Sequence, residues 1–101
     1  MKQSCIDFLM EQFGDRDVVD EIYGEFAVSF PKLVGEAAQQ ARDADWEKLD
    51  RTAHAIKGNS MVVGFGEAAD AAIALRRAAK LSDAAESARL IGELERLKGE
   101  L

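Results

Sequence analysis

The segment HAIKGNSMVVG, residues 54–64, contains the only histidine of the chain and a glycine four residues after it. Its apolar residues recur at helical spacing and predict a core face formed by Leu49, Ala53, Ile56, Ser60 and Val63. His54 points about 140° away from that face and is predicted to be exposed. Because an exposed neutral imidazole is an accessible nucleophile near neutral pH, the pattern indicates nucleophilic chemistry at His54.

Gly58 and Lys57 favour one kind of chemistry for this imidazole. Helical side chains lean toward the N-terminus, so a side chain at position 58 would lie back over His54, and glycine leaves the ring open. An interior glycine costs a helix about 1 kcal/mol relative to alanine, which indicates that the space is needed. Lys57 lies on the same face and can place its ammonium beside an anion attached to the ring. The three residues therefore suit a phosphorylated histidine.

The residues HAIKG, followed by Gly64 at the helix end, resemble the signature of the histidine phosphotransfer (HPt) domain. The similarity extends over FPKLVGEAAQQARDADWEKLDRTAHAIKGNSMVVGF, with one departure at Asn59, where many members have serine. The resemblance implies a phosphorelay intermediate in two-component signal transduction. His54 would accept a phosphoryl group from a receiver-domain aspartate or a histidine kinase and pass it to another receiver aspartate. It also implies that any Mg²⁺ is held by the receiver and that this chain needs no cofactor.

Other function classes fit the sequence less well. One histidine, one cysteine and no glycine-rich nucleotide loop leave too little for an enzyme or kinase site of its own, and no metal site is predicted. A kinase dimerisation helix of the commonest kind resembles His-Glu-x-x-x-Pro, whereas Ala55 follows His54 here. A helical interaction bundle in which His54 is incidental stays open as the alternative, and phosphorylation of His54 distinguishes the two.

Residues around His54 add candidate contacts. Asp50, one turn earlier, could accept a hydrogen bond from the ring and fix the tautomer in which the other nitrogen attacks, or be an ordinary solvated carboxylate. Met61 and Phe65 are predicted to form an apolar docking patch for a receiver, although Phe65 also suits the core at a helix junction. Arg51, together with Lys48, is predicted to add charge at the rim of that interface.

Composition limits the class of protein and its partners. The chain has 101 residues and a formal net charge of -6, so we expect one domain spanning residues 1–101 and no binding to nucleic acid or membranes. No apolar run approaches the ~20 residues of a membrane span, and the N-terminus does not resemble a signal peptide. A cytoplasmic monomer is the simplest prediction. Cys5, the single cysteine, is interpreted as a small apolar residue of the first helix.

The elements that must position His54 are predicted to be helices, because apolar residues recur at three and four residues and no period-2 segment is present. The first helix is predicted to run from a cap at Ser4 to about Gln12, where Gly14 ends it. The second is predicted to run from a cap at Asp15 or Asp17 to about Asp43, and the third from Trp46, after the Asp45 cap, to Gly64. The fourth is predicted from Gly66 to about Lys80, and a fifth follows Asp83, with Glu86 in capping-box spacing.

Each long helix is predicted to bury one stripe. The inward residues are Val19, Ile22, Phe26, Phe30, Leu33 and Ala37 in the second helix, Ala68, Ala72, Leu75 and Ala79 in the fourth, and Ile91, Leu94 and Leu97 in the fifth. Pro31 is predicted to kink the second helix without breaking it. Short connections between amphipathic helices predict an all-α fold, an up-down-up-down antiparallel four-helix bundle with a short N-terminal helix over one end.

Overall fold

A computed structural model describes all residues, 1–101, as five helices and no strands. The helices are α1 (Gln3–Phe13), α2 (Arg16–Arg42), α3 (Trp46–Val62), α4 (Gly66–Lys80) and α5 (Ala84–Lys98). The all-α prediction is confirmed, and α2 runs through Pro31 without a break. None of the five helices is both long enough and apolar enough to cross a lipid bilayer.

Aspartate caps begin three of the helices. Asp15 accepts hydrogen bonds from the backbone at the start of α2, Asp45 does so for α3, and Asp83 does so for α5. These bonds satisfy backbone N–H groups that have no partner within the helix, which explains why each helix begins where it does. The predicted caps of these three helices are confirmed, with Asp15 chosen over Asp17.

Two details of the predicted helix ends are corrected. The first helix begins at Gln3, after Lys2 in an extended conformation, so Ser4 lies inside the first turn and does not cap it. At α5 the Asp83 carboxylate accepts from the Glu86 backbone, but the Glu86 side chain pairs with Arg89 instead of reaching back. Only half of the predicted capping box therefore forms.

The buried residues agree with the predicted inward faces of α4 and α5 and differ from the prediction at two positions of α2. All the inward residues predicted for α4 and α5 are buried. In α2, Ile22 and Leu33 are only partly buried, while Tyr23 and Val34 are buried in their place. Ile22 and Leu33 lie roughly 60–80° from the centre of the buried face, so they line its edge.

The helices pack in a ring. Helix α2 contacts α3, α3 contacts α4, α4 contacts α5, and α5 returns to α2, while α1 packs on α2. The molecule is 42 Å long and 19 Å wide, close to the roughly 40 Å length of the 27-residue α2. The helices therefore lie side by side as a bundle.

Lys2 contacts several segments of the chain at one end of this bundle. Its backbone N–H donates to Tyr23 Oη at 2.8 Å, and its ammonium pairs with Glu100 at 2.6 Å. The same ammonium lies 4.8 Å from the centroid of the Phe65 ring. The start of the chain thus contacts α2, the start of α4 and the segment after α5, which holds α1 in place.

Gly64 connects α3 to α4 in a left-handed conformation, with φ of 68°, and a Cβ built on it would lie 2.4 Å from the Phe8 ring. We expect Gly64→Ala to lower the free energy of unfolding by more than the roughly 1–2 kcal/mol of left-handed strain, because the Phe8 ring must also shift. Gly14→Ala is the matched control, since Gly14 has φ of 65° and its Cβ would meet nothing within 4 Å. Equal losses in urea unfolding would contradict this contact with Phe8.

Candidate functional site

His54 lies near the middle of α3, on the face that points to solvent. The five residues predicted to form the core face, Leu49, Ala53, Ile56, Ser60 and Val63, are all buried, and His54 is exposed. This face is fixed because turning α3 to bury His54 would expose the apolar stripe that holds the helix to the bundle. The predicted orientation of the histidine is confirmed.

Arg76 reaches from α4 to two side chains of α3. Its Nε donates to Asp50 Oδ1 at 2.8 Å, and its Nη1 lies 3.0 Å from His54 Nδ1. The side chains of Arg76 and Asp50 are 29% and 25% exposed, so this pair is partly shielded from water. The hydrogen bond from Arg76 is the largest cause holding the pKa of Asp50 below its ordinary value. Asp50 is therefore ionised and joined to the imidazole through a guanidinium.

Of the two roles left open for Asp50, the direct contact with the His54 ring does not form. Asp50 makes no hydrogen bond to the ring, because its Oδ1 is engaged by Arg76, which itself approaches Nδ1. Sequence reasoning missed Arg76, whose only signal was a basic pair with Arg77 inside an alanine-rich helix. Such a pair suits any polar helix face, so only the packing of α4 on α3 identifies it.

A hollow lined mostly by cations lies beside His54 on the side that faces α4. It has a volume of about 370 Å³ and is lined by Lys57, Ile73, Arg76, Arg77 and Lys80. Lys57, Arg77 and Lys80 form no ion pair, in contrast to most other basic residues of the chain. Lys57 is thus brought together with cations of α4, and the hollow suits an anion placed next to the imidazole.

Two large apolar side chains of α3 are exposed beyond His54, toward the C-terminal end of the helix. Met61 and Val62 are 58% and 60% exposed, although both are large apolar residues. Val62 also borders a hollow of about 270 Å³ between α2 and α3, lined by Ile22, Glu25, Phe26, Ser29, Asn59, Val62 and Val63. In that hollow Asn59 donates from Nδ2 to Ser29 Oγ at 3.2 Å. The surface around His54 therefore has a cationic hollow toward α4 and exposed apolar residues near the end of α3.

The predicted docking residues separate in the structure. Phe65 is 2% exposed and packs against Phe26 and Phe30, with ring centroids 6.3 and 6.0 Å apart, so it belongs to the core and its assignment to an exposed patch is corrected. It turns inward because it directly precedes α4 at the helix junction. Arg51 is exposed, and its Nη1 lies 3.6 Å from Glu47 Oε1, a loose contact that leaves the guanidinium accessible.

Gly58 is exposed, and its packing does not require a glycine. A Cβ built on it would meet no atom within 4 Å outside its own helix backbone. A methyl group therefore fits without crowding the imidazole, and only a longer side chain can reach back over His54. The prediction that a side chain at position 58 would cover His54 therefore holds only for large side chains.

The structure gathers no group of three or more His, Cys, Asp or Glu side chains that could hold a metal ion. Cys5, the one thiol, is buried in the core, and burial raises its pKa. The chemistry available at this face is that of the His54 imidazole and the cations around it.

A family model described as the Hpt domain matches residues 21–100, most of the chain. This chain belongs to the Hpt family. Membership implies histidine phosphotransfer in the phosphorelays of two-component signalling, and it confirms the resemblance carried by HAIKG. Hpt domains interact with receiver domains and histidine kinases. Comparisons with curated proteins and with solved structures found no match.

Accessibility of the imidazole can be measured directly, because His54 is the only histidine. We expect Gly58→Leu to slow the reaction of His54 with diethyl pyrocarbonate several-fold, since the leucine side chain lies over the ring. Gly58→Ala should react at the wild-type rate and raise the free energy of unfolding by up to about 1 kcal/mol. Equal reaction rates in the leucine and alanine variants would contradict the prediction that Gly58 keeps the imidazole accessible.

Proposed function

We propose that His54 is the phosphoryl acceptor of this Hpt domain, taking the group from a receiver-domain aspartate or a kinase and passing it to another receiver aspartate. The observation that carries the proposal is an exposed imidazole in contact with Arg76, which lines a hollow together with three cations that form no ion pair: Lys57, Arg77 and Lys80. A phosphoryl group brings about two negative charges, and these cations lie where they can offset them. In this proposal the chain is a transfer intermediate without kinase activity.

Lys57 is the cation proposed to hold the phosphoryl group most directly. It lies on α3 three residues after His54, and its side chain also lines the hollow shared with α4. An ammonium is a mobile point charge, so it can follow the phosphoryl group as it forms and leaves. Gly58 is proposed to keep the approach to His54 open for in-line attack.

The exposed apolar residues Met61 and Val62 are proposed to contact the receiver domain. Val62 also borders the α2–α3 hollow, and exposed apolar side chains on the helix that carries a reactive group suit the centre of an interface. Arg51 lies about 60° around α3 from His54 and is proposed to contribute a charge at the rim. The receiver is expected to supply the Mg²⁺ used in transfer, so this chain holds no cofactor.

The proposal extends to the organisation and location of the chain. We infer that the four long helices alternate in direction, because Lys2 and Phe8 lie against the early part of α2, the segment between α3 and α4, and the segment after α5. Residues 1–101 would then act as one domain. A monomer in the cytoplasm, where receivers and kinase domains are expected, completes the proposal.

The experiment that tests the proposal incubates the chain with a panel of radiolabelled phosphorylated receiver domains and measures acid-labile label. We expect label on the wild type and none on His54→Gln, whose unfolding curve should match the wild type because the side chain is exposed. Label retained on the variant would move the site elsewhere. Stable binding of a receiver without any label on the wild type would favour the alternative, an interaction bundle in which His54 is incidental.

Lys57 provides a second prediction. Exposed charge interactions are worth only about 0.2–1 kcal/mol, so Lys57→Ala should slow transfer or shorten the phosphohistidine lifetime several-fold without abolishing it. Lys57→Glu should have a larger effect, and the difference between the two variants should shrink as salt is raised. Lys98→Glu controls for net charge, because α5 does not contact α3. Equal rates for the wild type and both Lys57 variants at low salt would contradict the role of Lys57.

A further inference from the structure

The contact between Arg76 and His54 determines which ring nitrogen carries the proton. A guanidinium has only N–H donors and no acceptor, so Nδ1 must accept the hydrogen bond from Arg76 Nη1 at 3.0 Å. Nδ1 therefore presents its lone pair to Arg76, and the neutral ring carries its proton on Nε2. Arg76 is held in this position by its second bond, from Nε to Asp50.

This arrangement leaves neither ring nitrogen ready to attack phosphorus. The lone pair of Nδ1 is engaged by Arg76, and Nε2, which has no hydrogen-bond partner in the protein, is protonated. Attack through the free Nε2 requires the other tautomer, with the proton on Nδ1. That proton would point at an N–H of Arg76, so the two donors would repel and Arg76 must leave before the reactive tautomer forms.

Asp50 is placed to replace Arg76 as the partner of the ring. It lies one turn before His54 on α3 and shares the guanidinium with it. Because Arg76 keeps the pKa of Asp50 low, the carboxylate is ionised and able to accept a hydrogen bond. Arg76 also lines the cationic hollow. A modest rotation of its side chain would therefore break its contact with His54 and let the guanidinium bind an anion in that hollow.

We propose that Arg76 is a latch that holds His54 in the unreactive tautomer and releases it when an aspartyl phosphate docks. The phosphoryl oxygens draw the guanidinium away from Nδ1, and Asp50 accepts the Nδ1 proton in its place. The proposal rests on the phosphotransfer function proposed above and assigns Arg76 and Asp50 as positioning residues. A chain without an incoming phosphoryl group then keeps its histidine in a form that does not react.

The transfer step balances in this scheme. The Nε2 lone pair forms the N–P bond, the P–O bond to the receiver aspartate breaks, and the aspartate leaves as a carboxylate. The proton on Nδ1 then passes to Asp50 and from there to water. Nδ1 regains its lone pair, so Arg76 can return to it and keep the phosphohistidine ring from being protonated, which would make the imidazole a better leaving group.

Nitrogen-15 NMR of the single histidine tests the latch without any phosphorylation. At about pH 8.5, above the range in which ordinary histidines titrate, we expect the Nε2–H tautomer in the wild type. In Arg76→Met the population of the Nδ1–H tautomer should rise several-fold, because Asp50 becomes free to accept that proton. The double variant Arg76→Met with Asp50→Ala should lose this gain. Arg77→Met, at the next position, removes the same charge without touching His54 and should keep the wild-type tautomer.

The lifetime of the phosphorylated protein tests the return of Arg76. Once labelled by a phosphorylated receiver, Arg76→Met should lose its phosphoryl group several-fold faster than the wild type, whereas Arg89→Met on α5 should match the wild type. An unchanged tautomer in Arg76→Met, or an unchanged lifetime, would overturn the latch while label on His54 still upholds the proposed function. A tautomer shift in Arg76→Met, together with a wild type that no receiver or kinase labels, would instead overturn the proposed function and support the resting contact.

Discussion

Close packing of α3 against α4 is the constraint on which the site depends. Six alanines of α4 are buried, and their small side chains allow the helix axes to approach closely. At that distance Arg76 can reach both Asp50 and His54, which lie on a different helix. Larger residues on this face of α4 would move Arg76 away from the imidazole even if every residue of α3 stayed the same. The alanine-rich composition of α4 is therefore a requirement of the site as well as of the core.

The charge distribution also follows from this packing. The chain carries a formal net charge of -6, and five of its thirteen basic residues are paired with acids along the same helix. The hollow beside His54 is different, because Lys57 and the basic residues near the end of α4 meet there without acidic partners on its lining. An acidic protein thereby presents a local cationic surface at the one position where a phosphoryl group would arrive. Such a surface attracts an anionic group by proximity, while the overall acidity disfavours nucleic acid.

The proposed function gives the two kinds of surface near His54 different tasks. In that proposal the cationic hollow holds the phosphoryl group, whereas the exposed Met61 and Val62 contact the partner that delivers it. A group that must be accepted and then released should not be held too tightly, and partly exposed cations provide attraction of only moderate strength. An Arg76 that exchanges between Nδ1 and an anion would match the same need, because it stabilises the histidine before and after transfer.

The sequence by itself determined the helices, most of their caps and the face on which His54 lies. These features depend on residues close together in the chain: aspartates that bond to backbone N–H groups within the next turn, and apolar residues spaced at three and four. The local motif His54, Lys57 and Gly58 was readable for the same reason. Even the family resemblance rests on neighbouring residues, and the family model confirms it.

Only the tertiary structure decided which residues of other helices join the site. Arg76 lies 22 residues after His54, and its contact depends on the relative position of two helices along their axes, which no periodicity within either helix contains. Phe65 is the opposite case, a residue predicted for the site that belongs to the core. An aromatic residue at a helix junction suits either an exposed docking patch or the core, and only the packing against Phe26 and Phe30 decides for the core. Local spacing determines what a helix exposes, whereas the packing between helices decides what meets there.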